Sequence, residues 1–279
     1  MKIRGHDVEM DSDEDRYVGT QDLAHWYTPV GRGAARLAQL VGRRIGAHPT
    51  LIITLVIGAG IAAALTFVFA EIYDAVTDKD GIAGLDRPLL DFAMSLRTPW
   101  LDSVATDYTN IGGTIGMPIL AVLVMLTLAL RRRSWTPVIL IGGAGLGSLL
   151  MTIAGKAIFG RARPPHIDAV PPFETSPSFP SGHTLNAFVI AGIVAYLLIL
   201  RRRSTHGRVI TITVAAVFAL TIGLSRVFLG HHWFTDVVAA WVLGAAWLAL
   251  VITAHRLYLS NRQRGIPDLE RLPLRASRT

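Results

Sequence analysis

The chain carries six apolar stretches, each near twenty residues, at about 50–70, 112–130, 136–158, 183–200, 209–229 and 234–254. At 1.5 Å rise per residue, ~20 helical residues cross a hydrocarbon core ~30 Å thick. Backbone polar groups find no water inside a bilayer, so consecutive apolar runs of this length must be helices that satisfy their own hydrogen bonds. The expected fold is therefore all-α: a polytopic membrane protein of six transmembrane helices. A hydrophobic share of 51% and a charged share of 17% fit that reading. Glycines recur within the spans (Gly142, Gly143, Gly145, Gly147, Gly192 and Gly244), either as close-packing positions or as ordinary membrane-helix glycine.

The charge pattern supplies topology. A net charge of +7 could point to nucleic acid, but the arginines cluster at the ends of apolar runs, which excludes a nucleic-acid-binding face as the simplest account. Arg32, Arg36, Arg43 and Arg44 precede the first span, Arg131–Arg133 follow the second, Arg201–Arg203 and Arg208 follow the fourth, and Arg256, Arg262 and Arg264 follow the sixth. Basic flanks stay in the cytoplasm, so both termini are expected there, in a plasma-membrane protein. Three units result: a cytoplasmic segment 1–48, a six-helix domain 49–258 and a cytoplasmic tail 259–279. The opening MKIRGHDVEMDSDED is acidic and lacks an apolar core, so it is not read as a signal peptide. Residues 29–48 form either a basic helix lying on the membrane surface or a solvated charge run that fixes topology. The connection 71–111 sets Leu89, Leu90, Ala93 and Leu96 on one helical face with Trp100 beyond, which suggests short interfacial helices. With no cysteine in the chain, disulfides, thiolate metal sites and cysteine nucleophiles are excluded.

On this topology three ionisable segments share the extracytoplasmic rim. The third span ends in Lys156 to Arg163-Pro164, the fourth begins at Pro180-Ser181-Gly182-His183, and Ser225-Arg226, His232 and Asp236 straddle the fifth and sixth. Taken singly, Ser181 and Pro180 could be helix-start residues, the cations could be topology charges, and His232 with Asp236 a helical polar pair. Gathered at one membrane-flanked rim, such charges need a reason. A phosphoryl group supplies one. Lys156, Arg163 and Arg226 match its charge, and the amides of Ser181, Gly182 and His183 sit at a helix N-terminus that favours anions. His232 and Asp236, at i and i+4, let the carboxylate take one ring N–H and leave the other nitrogen as a nucleophile, while His183 can protonate the leaving oxygen.

The patterns K-x6-RP (Lys156 to Pro164), PSGH (Pro180 to His183) and SR-x5-H-x3-D (Ser225 to Asp236) resemble the three signature motifs of the type 2 phosphatidic acid phosphatase family. The resemblance covers roughly 85–254. It implies a membrane phosphatase that works through a phosphohistidine without metal or other cofactor. His232 would be the nucleophile, Asp236 its orienter and His183 the acid and then the base. Lys156, Arg163, Ser181, Gly182 and Arg226 would hold the phosphate, and His231 is left as an interfacial residue. The implied partners are the bilayer and a lipid phosphate or pyrophosphate. An undecaprenyl or other polyprenyl diphosphate that recycles the cell-wall carrier lipid is favoured. A broad phosphatidic acid or phosphatidylglycerol phosphate phosphatase is the alternative. A transporter and a metal hydrolase built on His183, His231, His232 and Asp236 are remoter readings.

Overall fold

The computed structural model of the protein describes residues 81–262 and two short segments, Tyr17–Val18 and Gln21–Asp22. These segments, β1 and β2, pair antiparallel with Tyr17 opposite Asp22. They are the one departure from the all-helical expectation among the described residues. The remainder is helical: α1 (Asp86–Ser95), α2 (Pro99–Ile111), α3 (Gly116–Arg132), α4 (Thr136–Phe159), α5 (Gly182–Leu200), α6 (Thr205–Phe228) and α7 (Phe234–Arg262). The expected basic helix at 29–48 and span at 50–70 lie outside the described residues.

Helices α4 to α7 are each long and apolar enough to cross a membrane. The span expected at 112–130 is shorter and broken. Its helix starts at Gly116, and α2 meets α3 at an angle of 48°, so the two make at most one bent span. Six spans are thus not reached among the described residues; there are four, or five with the bent pair. The last helix also continues past the expected span end at 254, to Arg262. The expected short helices before the second span are present as α1, α2 and a 3-10 turn at Gly81–Leu85, with Trp100 exposed.

Local sequence explains the breaks. The Thr98 hydroxyl accepts from the Leu101 amide and Pro99 opens α2, while Ser204 caps α6 by accepting from the Gly207 amide. Helix α4 stops at Gly160, whose φ of 55° is left-handed.

The axis of the bundle is α5. Leu185, Val189, Ile193, Leu197 and Leu200 are buried along its length, enclosed by α4, α6 and α7. Apolar side chains elsewhere point outward, including Leu123, Leu126 and Leu130 of α3 and Val209, Val214 and Val217 of α6, as expected of helices that face lipid. Polar atoms inside the bundle bond between helices instead. Ser148 donates to Asn186 Oδ1 (2.6 Å), Trp247 Nε1 to the Ala144 carbonyl (2.9 Å), and Ser225 to Thr109 Oγ1 (2.9 Å).

The two readings of the span glycines divide by position. A Cβ at Gly147 would lie 2.1 Å from the Trp247 ring, and one at Gly192 would lie 2.2 Å from Leu248, so both are close-packing positions. Gly142 and Gly143 have open space and carry no such constraint.

The alternation of helices sets the C-termini of α4 and α6 beside the N-termini of α5 and α7, and the arginine-rich turns 131–133 and 201–203 at the opposite end. There Arg132 Nη2 donates to the Leu197 carbonyl at 2.5 Å. At the other end the segment between α4 and α5 is tied down: Arg97 donates to the carbonyls of Phe228 (2.7 Å) and Asp168 (2.8 Å), and Arg87 pairs with Asp168 at 2.7 Å. The Asp168 carbonyl would be 2.3 Å from any Cβ on Gly230, which also has a φ of 70°, so only glycine fits that turn.

Gly147→Val should lower the thermal midpoint of the detergent-purified protein, corresponding to about 1–3 kcal/mol of overpacking. Gly142→Ala should leave it within about 0.5 kcal/mol.

Candidate active site

His232 and Asp236 lie at the junction of α6 and α7, with side-chain exposures of 1% and 0%. The i, i+4 geometry brings His232 Nδ1 to 3.4 Å from Asp236 Oδ2, and Nδ1 is equally distant from Ser178 Oγ. On the far side of the ring, Nε2 is 3.2 Å from Arg163 Nη1. A guanidinium can only donate, so Nε2 is the acceptor and the ring proton resides on Nδ1, facing the carboxylate. His232 thus presents a lone pair toward Arg163.

Asp236 is held by more than the histidine. Its Oδ1 accepts from Arg161 Nη1 at 2.5 Å, and its Oδ2 accepts from Ser178 Oγ and from the Trp233 amide at 3.0 Å. The other arm of Arg161 reaches Asp86 Oδ2 at 2.7 Å. Asp86, at the start of α1, accepts in turn from the amide (2.8 Å) and hydroxyl (2.7 Å) of Thr235. A buried row Asp86–Arg161–Asp236 therefore joins the short outer helix to the ring of His232.

The three cations expected at the rim converge. Lys156 Nζ donates to Ser176 Oγ (3.1 Å) and to the Pro177 carbonyl. Arg163 donates to the carbonyls of Ser176 and His231, and to Ser176 Oγ at 3.1 Å. Arg226, near the end of α6, is 2% exposed, and its Nε has no partner among the described residues. Between the two arginines lies Glu174, which pairs with Arg163 Nη2 at 2.7 Å and with Arg226 Nη2.

The remaining expected residues sit at the foot of α5. Ser181 is at the N-cap position but makes no capping bond with its side chain; it accepts from the Thr184 hydroxyl at 2.8 Å. Its amide donates to the Asp236 carbonyl at 3.3 Å, so the expected trio of free amides at this helix start is reduced to those of Gly182 and His183. Gly182 lies against Thr152, and the His183 ring turns to the α2–α3 bend, where Nε2 is 3.2 Å from the position of a Cβ on Gly113. His231, expected as an interfacial residue, is buried in the protein. It is 4% exposed, and its Nε2 donates to the Val170 carbonyl at 2.7 Å.

A model of the PAP2 superfamily matches residues 136–258. Phosphatidylglycerophosphatase B of Bacillus subtilis (strain 168) is 32% identical over 187 residues, covering 66% of this chain and 90% of that protein. The chain belongs to the PAP2 superfamily. It is a multi-pass membrane lipid phosphatase, a phosphoric-ester hydrolase. The crystal structure of the first transmembrane PAP2 type phosphatidylglycerolphosphate phosphatase from Bacillus subtilis superposes with a TM-score of 0.61. It is 29% identical and covers 68% of this chain and 93% of that one. Lipid A 1-phosphatase of Porphyromonas gingivalis is 30% identical over 146 residues, covering 48% of this chain but only 30% of that protein.

The electrostatics of this PAP2 site are set by burial among cations. Burial, reinforced by Arg163 and Arg226, pushes the His232 pKa well below the ordinary histidine range, so the ring is neutral at neutral pH. His231 is lowered to about 4 by burial and by Arg226. Burial alone would raise Glu174, but Arg226 and Arg163 hold its pKa down at about 2. Its pairing therefore stabilises the fold fully above the ordinary carboxyl value of 4.5, and the contribution is lost as pH falls through about 2. Arg161 stays charged because Asp236 and Asp86 outweigh its desolvation.

Sequence reasoning missed Glu174, Ser178, Arg161 and Asp86 as members of the site. Two of them, Arg161 and Ser178, stand inside or beside the quoted motifs.

Arg161→Ala should leave Asp86 and Asp236 as buried carboxylates without a counter-charge. The expected loss is about 3–5 kcal/mol, read as a lower thermal midpoint in detergent. Arg161→Lys should recover only part, because a single ammonium cannot serve two carboxylates as a fork does.

Proposed function

We propose that the protein hydrolyses the terminal phosphate of a lipid phosphate through a phosphohistidine on His232. The observation that carries this reading is the orientation of the buried, neutral imidazole, with Nδ1 toward Asp236 and Nε2 toward Arg163. Nε2 attacks phosphorus as the bond to the lipid oxygen breaks, and His183 donates a proton to that oxygen. Water then attacks the phosphohistidine, His183 accepts its proton, and orthophosphate leaves. Lys156, Arg163, Arg226 and the Gly182 amide carry the charge on the phosphoryl oxygens, and the Arg226 Nε, without a partner among the described residues, supports a further contact there. Ser181 supports the site by positioning α5 against α7 rather than by offering its amide. No metal enters the scheme. Asp236 is already saturated by Arg161, Ser178 and Trp233, and no three His, Asp or Glu side chains converge as a ligand set among the described residues.

For the substrate, the names of the Bacillus subtilis protein and of the Bacillus subtilis crystal structure favour phosphatidylglycerol phosphate. A polyprenyl diphosphate such as undecaprenyl diphosphate is the second reading, supported by arginine-rich turns at the end of the bundle opposite the site. By the basic-flank rule those turns are cytoplasmic and the site faces outward in the plasma membrane, with both termini inside.

His232→Ala should abolish phosphate release from both lipids while the detergent-purified protein keeps its thermal midpoint, and a chelator should leave the wild-type rate unchanged. Ordinary turnover by His232→Ala would sink the phosphohistidine scheme. Relative kcat/KM on the two lipids decides the substrate.

Sidedness is open to cysteine probes, since the native chain has none. Ile167→Cys, at a position 92% exposed in the segment between α4 and α5, should react with an impermeant thiol reagent on intact cells. His206→Cys, beside the arginine-rich turn, should react only after lysis. The reverse pattern would put the site in the cytoplasm.

A further inference from the structure

The sequence motifs account for the cations of the site but not for the anion lodged among them. Glu174 lies in the segment joining α4 to α5, outside all three motifs, and its carboxylate bridges Arg163 and Arg226. Those are the two arginines assigned above to the phosphoryl oxygens. The arginine ends of the bridge are buried, but its carboxylate end is not. Residues 171–176 have no regular secondary structure, Phe173 and Thr175 on either side are exposed, and Glu174 itself is 29% exposed. The segment is anchored around it, through the Val170 amide on the Leu229 carbonyl, the Ser178 amide on the Arg161 carbonyl, and Arg163 and Lys156 on the carbonyls of Ser176 and Pro177. Among the described residues no backbone–backbone hydrogen bond ties residues 171–177. Glu174 can therefore swing outward while its anchors hold.

We propose that Glu174 is a displaceable internal anion that sets the charge a lipid headgroup must bring to occupy the site. The proposal rests on the phosphate-binding reading of Arg163 and Arg226. A cationic pocket at headgroup depth meets a large excess of anionic phosphodiester lipids. A diester carries one negative charge, so exchanging it for the carboxylate brings the three cations no additional counter-charge. A terminal phosphate carries about −1.5 to −2 at pH 7 and brings more. It also has more oxygens than a carboxylate, enough to reach the buried Arg226 Nε as well as the two Nη atoms. Competition by Glu174 weakens every anion by the same factor. It leaves the ratio of affinities alone and acts as a threshold: diesters are raised above the concentration at which they would fill the site, and phosphomonoesters remain below it. With a pKa near 2, the carboxylate holds its charge at any working pH.

The test uses the full-length protein in neutral detergent micelles, with orthophosphate and phosphatidylglycerol as probes. Against wild type, Glu174→Gln should lower the orthophosphate inhibition constant at least about tenfold, a change of about 1.4 kcal/mol, and lower KM for the phosphomonoester substrate. The value of kcat should fall little. Phosphatidylglycerol doped into the micelles should inhibit Glu174→Gln and spare the wild type. Without orthophosphate the thermal midpoint of Glu174→Gln should drop, and added orthophosphate should raise it more than it raises the wild type. Glu174→Asp keeps the charge but is one methylene too short to bridge both arginines, so it should fall between and guards against a folding failure of the glutamine variant. Unchanged or weaker orthophosphate inhibition in both variants would overturn the proposal. The underlying site reading fails differently: orthophosphate would then inhibit neither wild type nor Glu174→Gln, and Arg226→Ala would leave KM unaltered.

Discussion

The fork of Arg161 between Asp86 and Asp236 is the interaction on which the rest of the site depends. Asp236 is wholly buried beside a membrane core, where an unpaired carboxylate would take up a proton and lose its hold on the His232 N–H. Arg161 supplies its counter-charge, Ser178 and the Trp233 amide fix its direction, and the imidazole follows. Because the same guanidinium binds Asp86, the short helix α1 belongs to the chemistry as well as to the cover of the bundle. Thr235, bonded twice to Asp86, closes the circuit at the first turn of α7.

Such a concentration of charge is tolerable only because each group is answered by another within hydrogen-bond reach. Arg161 lies between two carboxylates, Arg163 and Arg226 share a third, and Lys156 binds a carbonyl and a hydroxyl. The low dielectric that makes isolated charges prohibitive also strengthens these contacts. Along the spans the same economy takes a different form, with single bonds such as Ser148 to Asn186 stitching helices whose outer faces are mainly apolar.

How far the sequence was legible follows from the range of each interaction. Spans announce themselves through local composition, so α4 to α6 lie close to their expected limits and α7 begins at its own. The bend at Gly112–Ile115 falls at the start of the expected 112–130 run, and composition alone did not reveal it. Lys156, Arg163, Arg226, His232 and Asp236 stand at fixed spacings within short motifs, and reading them needed only topology. Glu174 pairs with Arg226 across 52 residues and Asp86 with Arg161 across 75, through segments with no periodicity, so nothing local marked them. The Ser181 amide and the His231 ring are likewise claimed by distant carbonyls, partners that no local pattern marks.

Lys156 and Arg163 each reach the backbone of the α4–α5 segment at Ser176 or Pro177, so they are tethers of a loop as well as charges in a pocket. A truncation at either position would release one end of that segment and the carboxylate it carries, and would change the placement of Arg226 without touching it. Losses at Lys156, Arg163 and Arg226 are then coupled quantities, and their sum overstates the worth of any single contact to phosphate. Only a thermodynamic cycle across pairs of these positions can separate holding the ligand from holding the loop.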